Sequence, residues 1–358
     1  MELTKENILQ QIETVISSTL DTNCSTEWKN LTFGKLDKSI ENQHITPLTQ
    51  PASELIQSGG KRWRPLFLVL CALTKAEELA DNSPEQKEIL NNAFSLTPLV
   101  EFIHTASLIH DDIEDSSDTR RGKPAAYITY GTDTAINAGS WLYFEAFTVI
   151  DKLSCSQELK NRLYSAALLE VRRLHLGQAM DISWHRNKEA VPSADQYLSM
   201  VKCKTGTLSS LAAKIGCLAA GYSDQTAAQA ALLASQVGAG FQIIDDVINL
   251  TTGNPGKIRG DDIVEGKKSL PVLLFAEKNP ESFKLLSQYF VQAAKEGIKS
   301  PAVENAIKLL QDSGCIQEAK DQGIRLINTS CDSFMELFGK NKKSSAQIKE
   351  LFTRMIPL

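Results

Sequence analysis

The chain has 358 residues, of which 42% are hydrophobic and 23% are charged, a balance typical of a compact globular protein with a large buried core. Its formal net charge of −5 argues against a nucleic-acid partner, because phosphate backbones require a basic surface. Seven scattered cysteines show neither CxxC nor Cys/His spacing, and the acidic, amphipathic start does not resemble a secretory signal. We therefore predict a cytoplasmic protein with at most peripheral membrane contact.

Apolar residues recur at helical spacing along nearly the whole chain, without a sustained alternating run bounded by hairpin turns. This periodicity predicts an all-α fold. Glycine- and proline-containing breaks separate the helical stretches, and none has the length of an interdomain linker. The breaks fall at residues 58–60, 121–124, 190–193 and 252–256.

One predicted helix begins with Thr97 as its N-cap and Pro98 in its first turn. Its far end carries three carboxylates, at Asp111, Asp112 and Asp115. The first and third lie one turn apart on one face, and the second lies about 100° round the helix. Such carboxylates can converge on a hard cation such as Mg²⁺, although a solvated acidic face is the simpler alternative.

Two arginines, Arg120 and Arg121, follow this acidic cluster. Adjacent guanidinium groups beside carboxylates complement a complex of Mg²⁺ with diphosphate, since arginine binds phosphate oxygens bidentately. A surface network of salt bridges is the alternative. The combination favours a site for a phosphorylated, metal-bound substrate.

A second predicted helix, from about Gln229 to Leu250, repeats the acidic pattern with Asp245 and Asp246, but it has Asn249 where a third carboxylate is expected. A mixed acidic and basic stretch follows at residues 257–268. Its lysines could reach a diphosphate held at this second site, although such stretches are commonly solvated loops.

Two basic clusters follow turn or helix-start signals, at residues 59–65 and 202–207. Both combine lysine or arginine with glycine, so both are candidate phosphate-binding segments, and surface clusters are the alternative. Neither has the spacing of a Walker A loop, which argues against nucleoside triphosphate chemistry.

In chain order the motifs are GGKRWRP, HTASLIHDDIEDSSDTRRGKP, GQAMD, KTGTL, FQIIDDVIN and GDDIVEGKKSLP. With these motifs the chain, from about Gly59 to Leu274, resembles the trans-isoprenyl diphosphate synthases of the farnesyl, geranylgeranyl and longer polyprenyl type. The resemblance implies a single-domain bundle of long antiparallel helices around a central cavity, the isoprenoid synthase fold, usually in a homodimer. We accordingly expect a helical covering segment at residues 1–50 and a catalytic domain at residues 51–358.

The resemblance implies condensation of isopentenyl diphosphate with allylic diphosphates, by Mg²⁺-assisted ionisation, capture by the isopentenyl double bond and proton loss. Asp245 corresponds to the main ligand of the second acidic motif, and Lys204 joins the metal ligands as a catalytic residue. The implied metal ligands are Asp111, Asp112, Asp115 and Asp245. The implied allylic-substrate contacts are Arg120, Lys204, Thr205, Gln242, Lys257 and Lys267. The implied isopentenyl diphosphate contacts are Lys61, Arg64, His104 and Arg121. Gln178 and Asp181 are candidates for orienting metal-bound water.

Product length should depend on the side chains one to two turns before the first acidic motif, which are Ile103, Ala106 and Ser107. Farnesyl-making relatives have bulky aromatic residues at the latter two positions, whereas both are small here, so growth beyond farnesyl is expected. An aromatic cluster of Tyr143, Phe144 and Phe147 is a candidate for a deeper floor. We favour geranylgeranyl diphosphate, with a longer polyprenyl product as the alternative.

Two other functions use parts of the same pattern. A class I terpene cyclase also ionises a prenyl diphosphate, but it needs no second diphosphate site, so Lys61 and Arg64 favour condensation. A non-catalytic subunit of a heteromeric synthase should have lost acidic residues or the Lys204 and Thr205 pair. Asn249 is the one departure in that direction.

Overall fold

The computed structural model of the protein describes residues 4–187, 190–253 and 258–356, and these fold into α-helices, one π-helix and a small β-hairpin. The predicted all-α fold is confirmed. Contacts divide the chain into two units. The first unit comprises Met1–Leu169, Leu211–Ala231 and Leu337–Ile348. The second unit comprises Glu170–Ser210, Leu232–Glu336 and Lys349–Leu358. This division does not test the boundary expected at residue 50, which stays a prediction.

The elements of the first part of the chain all belong to the first unit: α1 (Lys5–Thr19), α2 (Thr26–Phe33), α3 (Asn42–Gln57), α4 (Trp63–Ala76), α5 (Pro84–Ser95), α6 (Thr97–Glu114), β1 (Thr119–Arg120), β2 (Lys123–Pro124), α7 (Ala126–Tyr130), α8 (Thr132–Glu145) and α9 (Thr148–Lys152). The later elements are α10 (Gln157–Arg186), α11 (Ala194–Val201), the π-helix (Lys202–Gly206), α12 (Thr207–Ala219), α13 (Asp224–Thr251), α14 (Asp261–Glu265), α15 (Leu270–Lys278), α16 (Pro280–Glu296), α17 (Pro301–Asp312), α18 (Cys315–Phe338) and α19 (Lys343–Thr353). Of these, α11, the π-helix and α14 to α17 lie wholly in the second unit.

The start of α6 differs from the prediction that Thr97 is its N-cap. The helix begins at Thr97 itself, whose hydroxyl donates a hydrogen bond to the carbonyl of Phe94 at 2.6 Å, and no described side chain caps the first turn. The physical reason is that α5 ends just before, and Leu96 has helical dihedral angles instead of the extended conformation of an N-cap.

Helix α13 matches the second predicted helix but begins five residues earlier, at Asp224 instead of Gln229, and ends at Thr251. By length and hydropathy α13 could cross a membrane, yet 61% of its most apolar window is buried in the fold. Burial of that kind is also found in the core helices of soluble proteins.

Each unit has a core around its acidic helix. In the first unit, Ile109 of α6 packs with Leu55 of α3 and Ala135 of α8. In the second unit, Ile243 and Val247 of α13 belong to a larger cluster that α11 and α14 to α17 complete. Burial of these apolar faces fixes the rotation of each helix, and thereby the direction in which its aspartates point.

Candidate active site

The first acidic motif lies at the C-terminal end of α6. Asp115 is the C-cap, and its N–H donates to the carbonyl of Asp111 at 2.8 Å, so these two residues lie one turn apart. The helix ends in a Schellman motif, in which Ser116 has a φ of 54° and the N–H of Ser117 donates to the carbonyl of Asp112 at 2.8 Å. The ends of the helix and of the motif therefore coincide.

The second aspartate of this motif, Asp112, is only 1% exposed. Its Oδ1 accepts hydrogen bonds from Nε of Arg120 at 2.7 Å and from a terminal nitrogen of the same guanidinium. Burial raises the pKa of Asp112, and the bonds from Arg120 oppose that shift. Its Oδ2 is buried without a hydrogen-bond partner among the described residues, which leaves one oxygen able to accept a cation.

A two-residue β-hairpin follows the motif, with Thr119 paired to Pro124 and Arg120 to Lys123. Its central residues are Arg121, with a φ of 54°, and Gly122, with a φ of 76°. Positive φ at both central positions is the type I′ arrangement, which suits the twist of a tight hairpin. Strands of two residues are too short for an alternating sequence pattern, so the sequence did not predict this hairpin.

The hairpin directs its two arginines to different partners. Arg120 pairs with Asp112 and lies 3.6 Å from Asp111, whereas Arg121 donates to the carbonyl of Leu55 at 3.0 Å and to that of Gly59. The second set of contacts lies where α3 ends and the GGKRWRP segment begins. One short turn thus joins the acidic motif to the first basic cluster, within the first unit.

Three cationic or imidazole groups expected at the isopentenyl site also belong to the first unit. Lys61 is exposed, and the guanidinium of Arg64 lies over the Trp63 ring at 4.3 Å from its centroid. Burial lowers the pKa of Arg64 to about 10. Burial, followed by the positive charges of Arg64 and Arg121, holds the pKa of His104 well below its usual range. This concentration of positive charge favours binding of an anion.

Arg62, which sequence reasoning passed over, is the most tightly bound residue of this segment. It is 5% exposed and has a φ of 45°. Its guanidinium donates to Glu13 at 2.7 Å, to Glu101 at 2.5 Å and to the carbonyl of Ile56 at 2.6 Å. Burial alone would lower its pKa, but the two carboxylates outweigh burial and raise it. Arg62 is therefore a permanently charged anchor.

In the second unit, the KTGTL motif begins in the π-helix between α11 and α12. Nζ of Lys204 lies 2.6 Å from Oδ2 of Asp181, and the Thr205 hydroxyl donates to Oε1 of Gln242 at 2.8 Å. A Cβ atom at Gly177 would lie 2.3 Å from the backbone nitrogen of Lys204, and one at Gly238 would lie 2.6 Å from the Cα of Gly206. These two glycines let α10 and α13 approach the π-helix closely, and π-helical turns are common at functional sites.

The second acidic motif also buries its second aspartate. Asp245 is half-buried, whereas Asp246 is 6% exposed and accepts from the Tyr197 hydroxyl at 2.5 Å and from the Gln242 amide at 2.9 Å. Burial, reinforced by the charge of Asp262, raises the pKa of Asp246 above its usual range. A chain of hydrogen bonds therefore runs from Tyr197 through Asp246 and Gln242 to Thr205.

Asn249 is 3% exposed and has a structural partner. Its side-chain oxygen accepts from the backbone N–H of Asp262 at 3.3 Å, and its carbonyl accepts from Gly260 at 2.9 Å. Lys267 pairs with Glu265 at 2.7 Å and lies 3.5 Å from Asp262. Asn249 thus holds the start of α14, which carries Asp262 and Glu265. Lys257 lies outside the described residues.

The donor atoms of these motifs suit a hard divalent cation, because they are carboxylate oxygens without sulfur or imidazole donors. The unpartnered Oδ2 of Asp112 is consistent with such an ion in the first unit. Among the described residues, however, no group of three acidic, histidine or cysteine side chains already forms a metal-binding cluster.

The residues expected to set product length differ in exposure. Ile103 and Ala106 are fully buried, whereas Ser107 is half-buried and its hydroxyl donates to the carbonyl of His104 at 2.7 Å. Ser107 shares its face of α6 with His104 and Asp111, three or four residues away on either side. Of the three positions, Ser107 is the one whose side chain is accessible.

The three aromatic residues that are candidates for a deeper floor, Tyr143, Phe144 and Phe147, have different surroundings, and their role stays a prediction. Tyr143 stacks on His110 with ring centroids 5.7 Å apart, and Phe147 stacks on Tyr164 at 6.0 Å. Phe144 is 75% exposed. Successive positions on α8 point about 100° apart, which accounts for the different surroundings of Tyr143 and Phe144.

Comparison with known proteins identifies one family. The polyprenyl synthetase family matches residues 45–307. The chain is 35% identical over 251 residues to the geranylgeranyl diphosphate synthase of Methanosarcina mazei, and the matched region covers 68% of this chain and 73% of that protein. It is 31% identical over 320 residues to the geranylfarnesyl diphosphate synthase of Aeropyrum pernix, covering 87% and 94%. The crystal structure of geranylgeranyl pyrophosphate synthetase from Pyrococcus horikoshii Ot3 superposes with a TM-score of 0.77 at 28% identity, covering 99% of each chain. The predicted isoprenoid synthase fold is confirmed.

Proposed function

The chain belongs to the polyprenyl synthetase family and is a trans-prenyltransferase, and we propose that it condenses isopentenyl diphosphate with allylic diphosphates to give geranylgeranyl diphosphate. The observation that carries the proposal is the hairpin that bonds Arg120 to Asp112 of the acidic motif and Arg121 to the carbonyl of Gly59 in the basic cluster. Condensation needs two diphosphate sites, and a terpene cyclase needs one. Condensation therefore requires an acidic, metal-binding site for one diphosphate beside a separate basic site for the other.

In the first unit we assign the allylic diphosphate to the acidic end of α6. Asp111, Asp112 and Asp115 hold Mg²⁺ on the diphosphate, and Arg120 donates to its oxygens. When bound, Mg²⁺ neutralises negative charge that develops on the leaving diphosphate. The Arg120 bond to Asp112 orients both groups before substrate arrives, so less reorganisation accompanies ionisation.

We assign isopentenyl diphosphate to Lys61, Arg64, His104 and Arg121. The depressed pKa of His104 keeps its imidazole neutral near pH 7, so it can act as a hydrogen-bonding group beside the cations without adding charge. Holding the second substrate by its diphosphate positions its double bond for capture, which converts a bimolecular step into an effectively intramolecular one. No dedicated base is needed, because the released diphosphate can accept the proton.

In the second unit we assign Asp245 as a metal ligand and Lys204, Thr205 and Gln242 as allylic-substrate contacts, with Lys257 and Lys267 as further contacts. The Thr205 and Gln242 hydrogen bond and the pairing of Lys204 with Asp181 hold these side chains in defined rotamers. Gln178 and Asp181 are assigned to metal-bound water. The intact Lys204 and Thr205 pair supports an active enzyme instead of a non-catalytic subunit.

We propose a homodimer that works in the cytoplasm. The support for a dimer is a set of large apolar side chains exposed in the first unit, including Ile136, Phe144 and Leu168, which are 45%, 75% and 49% exposed. Burial of these side chains between two copies of the chain would stabilise a dimer through the hydrophobic effect. Light scattering of the purified chain tests the state directly, and a monomeric mass would contradict the proposal.

The proposal that the product is longer than farnesyl rests on the small side chains of Ser107 and Ala106. Ile103 lies one turn earlier on α6. Relatives named for both geranylgeranyl and geranylfarnesyl products support the longer range. A geranylfarnesyl or longer product is the second candidate.

The test is incubation of the purified protein with isopentenyl diphosphate and each allylic primer, with and without Mg²⁺, followed by analysis of the dephosphorylated products. We expect Mg²⁺-dependent condensation that ends at the geranylgeranyl product. Termination at farnesyl would refute the argument from small residues. A cyclic product from the allylic substrate alone would identify a cyclase, and an absence of both products would indicate a non-catalytic subunit.

A further inference from the structure

Helix α1 precedes the region that matches the family, which begins at residue 45. Its inner face is nevertheless fully buried in the first unit through Ile8, Ile12 and Ile16. On a neighbouring face, Glu13 accepts a hydrogen bond from Nε of Arg62 at 2.7 Å. Helix α1 therefore supplies a charged contact to the GGKRWRP segment in addition to packing.

The turn that carries Lys61 has an unusual backbone. Gly59 has a φ of 83°, Gly60 has a φ of 159°, and Arg62 has a φ of 45°. A left-handed conformation is unfavourable for an ordinary residue and persists only where surrounding contacts impose it. Here the contacts are the bonds of the Arg62 guanidinium to Glu13, Glu101 and the Ile56 carbonyl.

Glu101, which accepts from Arg62, also lies among the other arginines near this turn. It is 3% exposed, and burial raises its pKa, while Arg62, Arg121 and Arg64 oppose the shift in that order. Two residues, Glu101 and Glu13, thus balance several buried or half-buried positive charges. The charge of Glu101 is poorly screened because it is buried, whereas the half-exposed Glu13 acts mainly through its direct bond to Arg62.

We infer that Arg62 is a positioning residue for isopentenyl diphosphate, and that Glu13 of α1 holds it in place, so the N-terminal helix is a functional part of the isopentenyl site. The inference deepens the proposed function and rests on it. Lys61 and Arg64 flank Arg62 in the chain, and their reach toward a diphosphate depends on the turn that Arg62 holds. Neither Glu13 nor Arg62 is assigned a substrate contact, so both would act through the residues beside them.

The test compares Glu13→Gln with Glu6→Gln in the full-length protein. Both residues lie on α1 and both changes remove one negative charge, but Glu6 is exposed at the first turn of the helix. Because the side chain of Glu13 is 46% exposed, water can replace its bond to Arg62 and the variant should fold. We measure KM for each substrate, and the dissociation constant of isopentenyl diphosphate by equilibrium titration.

We expect Glu13→Gln to raise KM and the dissociation constant for isopentenyl diphosphate by about three- to tenfold, with KM for the allylic substrate changed by less than about twofold. Glu6→Gln should match the wild type in both. Equal values for the two variants would overturn the inference, and so would a parallel rise in both KM values, because general loosening would produce it. Failure of the wild type to condense would refute the proposed function instead, whereas the titration would still report on Glu13.

Discussion

The two acidic motifs, DDIED and DDVIN, share their pair of aspartates, but the surroundings of the two pairs differ. In the first unit the motif ends its helix, and the buried Asp112 pairs with a cation, Arg120. In the second unit the motif lies inside α13, and the buried Asp246 accepts from two neutral donors, Tyr197 and Gln242. In both motifs the second aspartate is buried and the first is half-buried. The comparison separates an accessible aspartate from one whose carboxylate is also bonded inside the fold.

This division follows from helix geometry. Adjacent residues on a helix point about 100° apart, so when the first aspartate faces solvent or substrate, the second turns toward a neighbouring element. A buried carboxylate must then find hydrogen-bond donors, and each unit supplies different ones. The following predictions test how much each first aspartate contributes to metal-dependent activity and how much each second one contributes to stability.

The largest effect is expected at the first aspartates. Asp111→Asn should lower kcat roughly 1,000-fold and Asp245→Asn roughly 100-fold, because each removes a negatively charged Mg²⁺ ligand while preserving side-chain shape. Steady-state assays across a Mg²⁺ titration provide the measurement. Asp81→Asn, in the exposed loop after α4, is the matched control and should leave kcat unchanged. Wild-type activity in Asp111→Asn would break the comparison.

Substitution of the two second aspartates should have different effects on the stability of the protein. Asp112→Asn leaves the Arg120 guanidinium without its buried counter-charge, so the free energy of unfolding should fall by about 2–4 kcal/mol. Asp246→Asn loses a hydrogen bond but relieves repulsion from Asp262, so we expect a change within about 1 kcal/mol. Urea unfolding of both variants at one pH is the measurement, and equal losses would contradict the contrast between charged and neutral partners.

Glu145 is another buried carboxylate of the first unit, and its partners are neutral. Its side chain accepts hydrogen bonds from the hydroxyls of Thr32 and Thr148. Burial raises its pKa to about 7, from an unfolded value near 4.5. The folded state therefore holds a proton that the unfolded state has released, and the free energy of unfolding should fall as pH rises from about 4.5 to 7, by up to about 3 kcal/mol.

Glu145→Gln should remove this part of the pH dependence and make the protein more stable than wild type at pH 8. Urea unfolding of the wild type and the variant at pH 5 and pH 8 measures how the free energy of unfolding of each protein changes with pH. Identical slopes for the two proteins would show that Glu145 is already ionised in the fold at neutral pH.

The smallest effect is expected at Asn249. Asn249→Asp would add a negative charge to a 3% exposed site near Asp262, so the free energy of unfolding should fall by about 1–2 kcal/mol. Mg²⁺ affinity should not increase, because the side chain is bonded to the backbone at the start of α14. Asn137→Asp, at an exposed position of α8, is the control. Tighter Mg²⁺ binding without loss of stability would place Asn249 at the metal site.

Much of the fold could be predicted from local sequence. The helical periodicity, the proline in the first turn of α6, and the breaks at residues 58–60 and 121–124 all correspond to observed features. The acidic ends of α6 and α13 were also predicted, because the spacing of residues on a helix determines which of them share a face. Thr97 was misassigned because the preceding helix leaves no extended residue before α6.

The partners of these residues could not be predicted in the same way. Arg62 looked like one more cation in a basic turn, yet it bonds Glu13 and Glu101, which lie 49 and 39 positions away in the chain. Tyr197 likewise reaches Asp246 across 49 positions. Sequence by itself determined which side chains are available and which helix faces they share, because both depend on neighbours within one or two turns. Tertiary packing alone decided which aspartates are buried and which arginine is an anchor, because burial and charge pairing depend on elements brought together from distant parts of the chain.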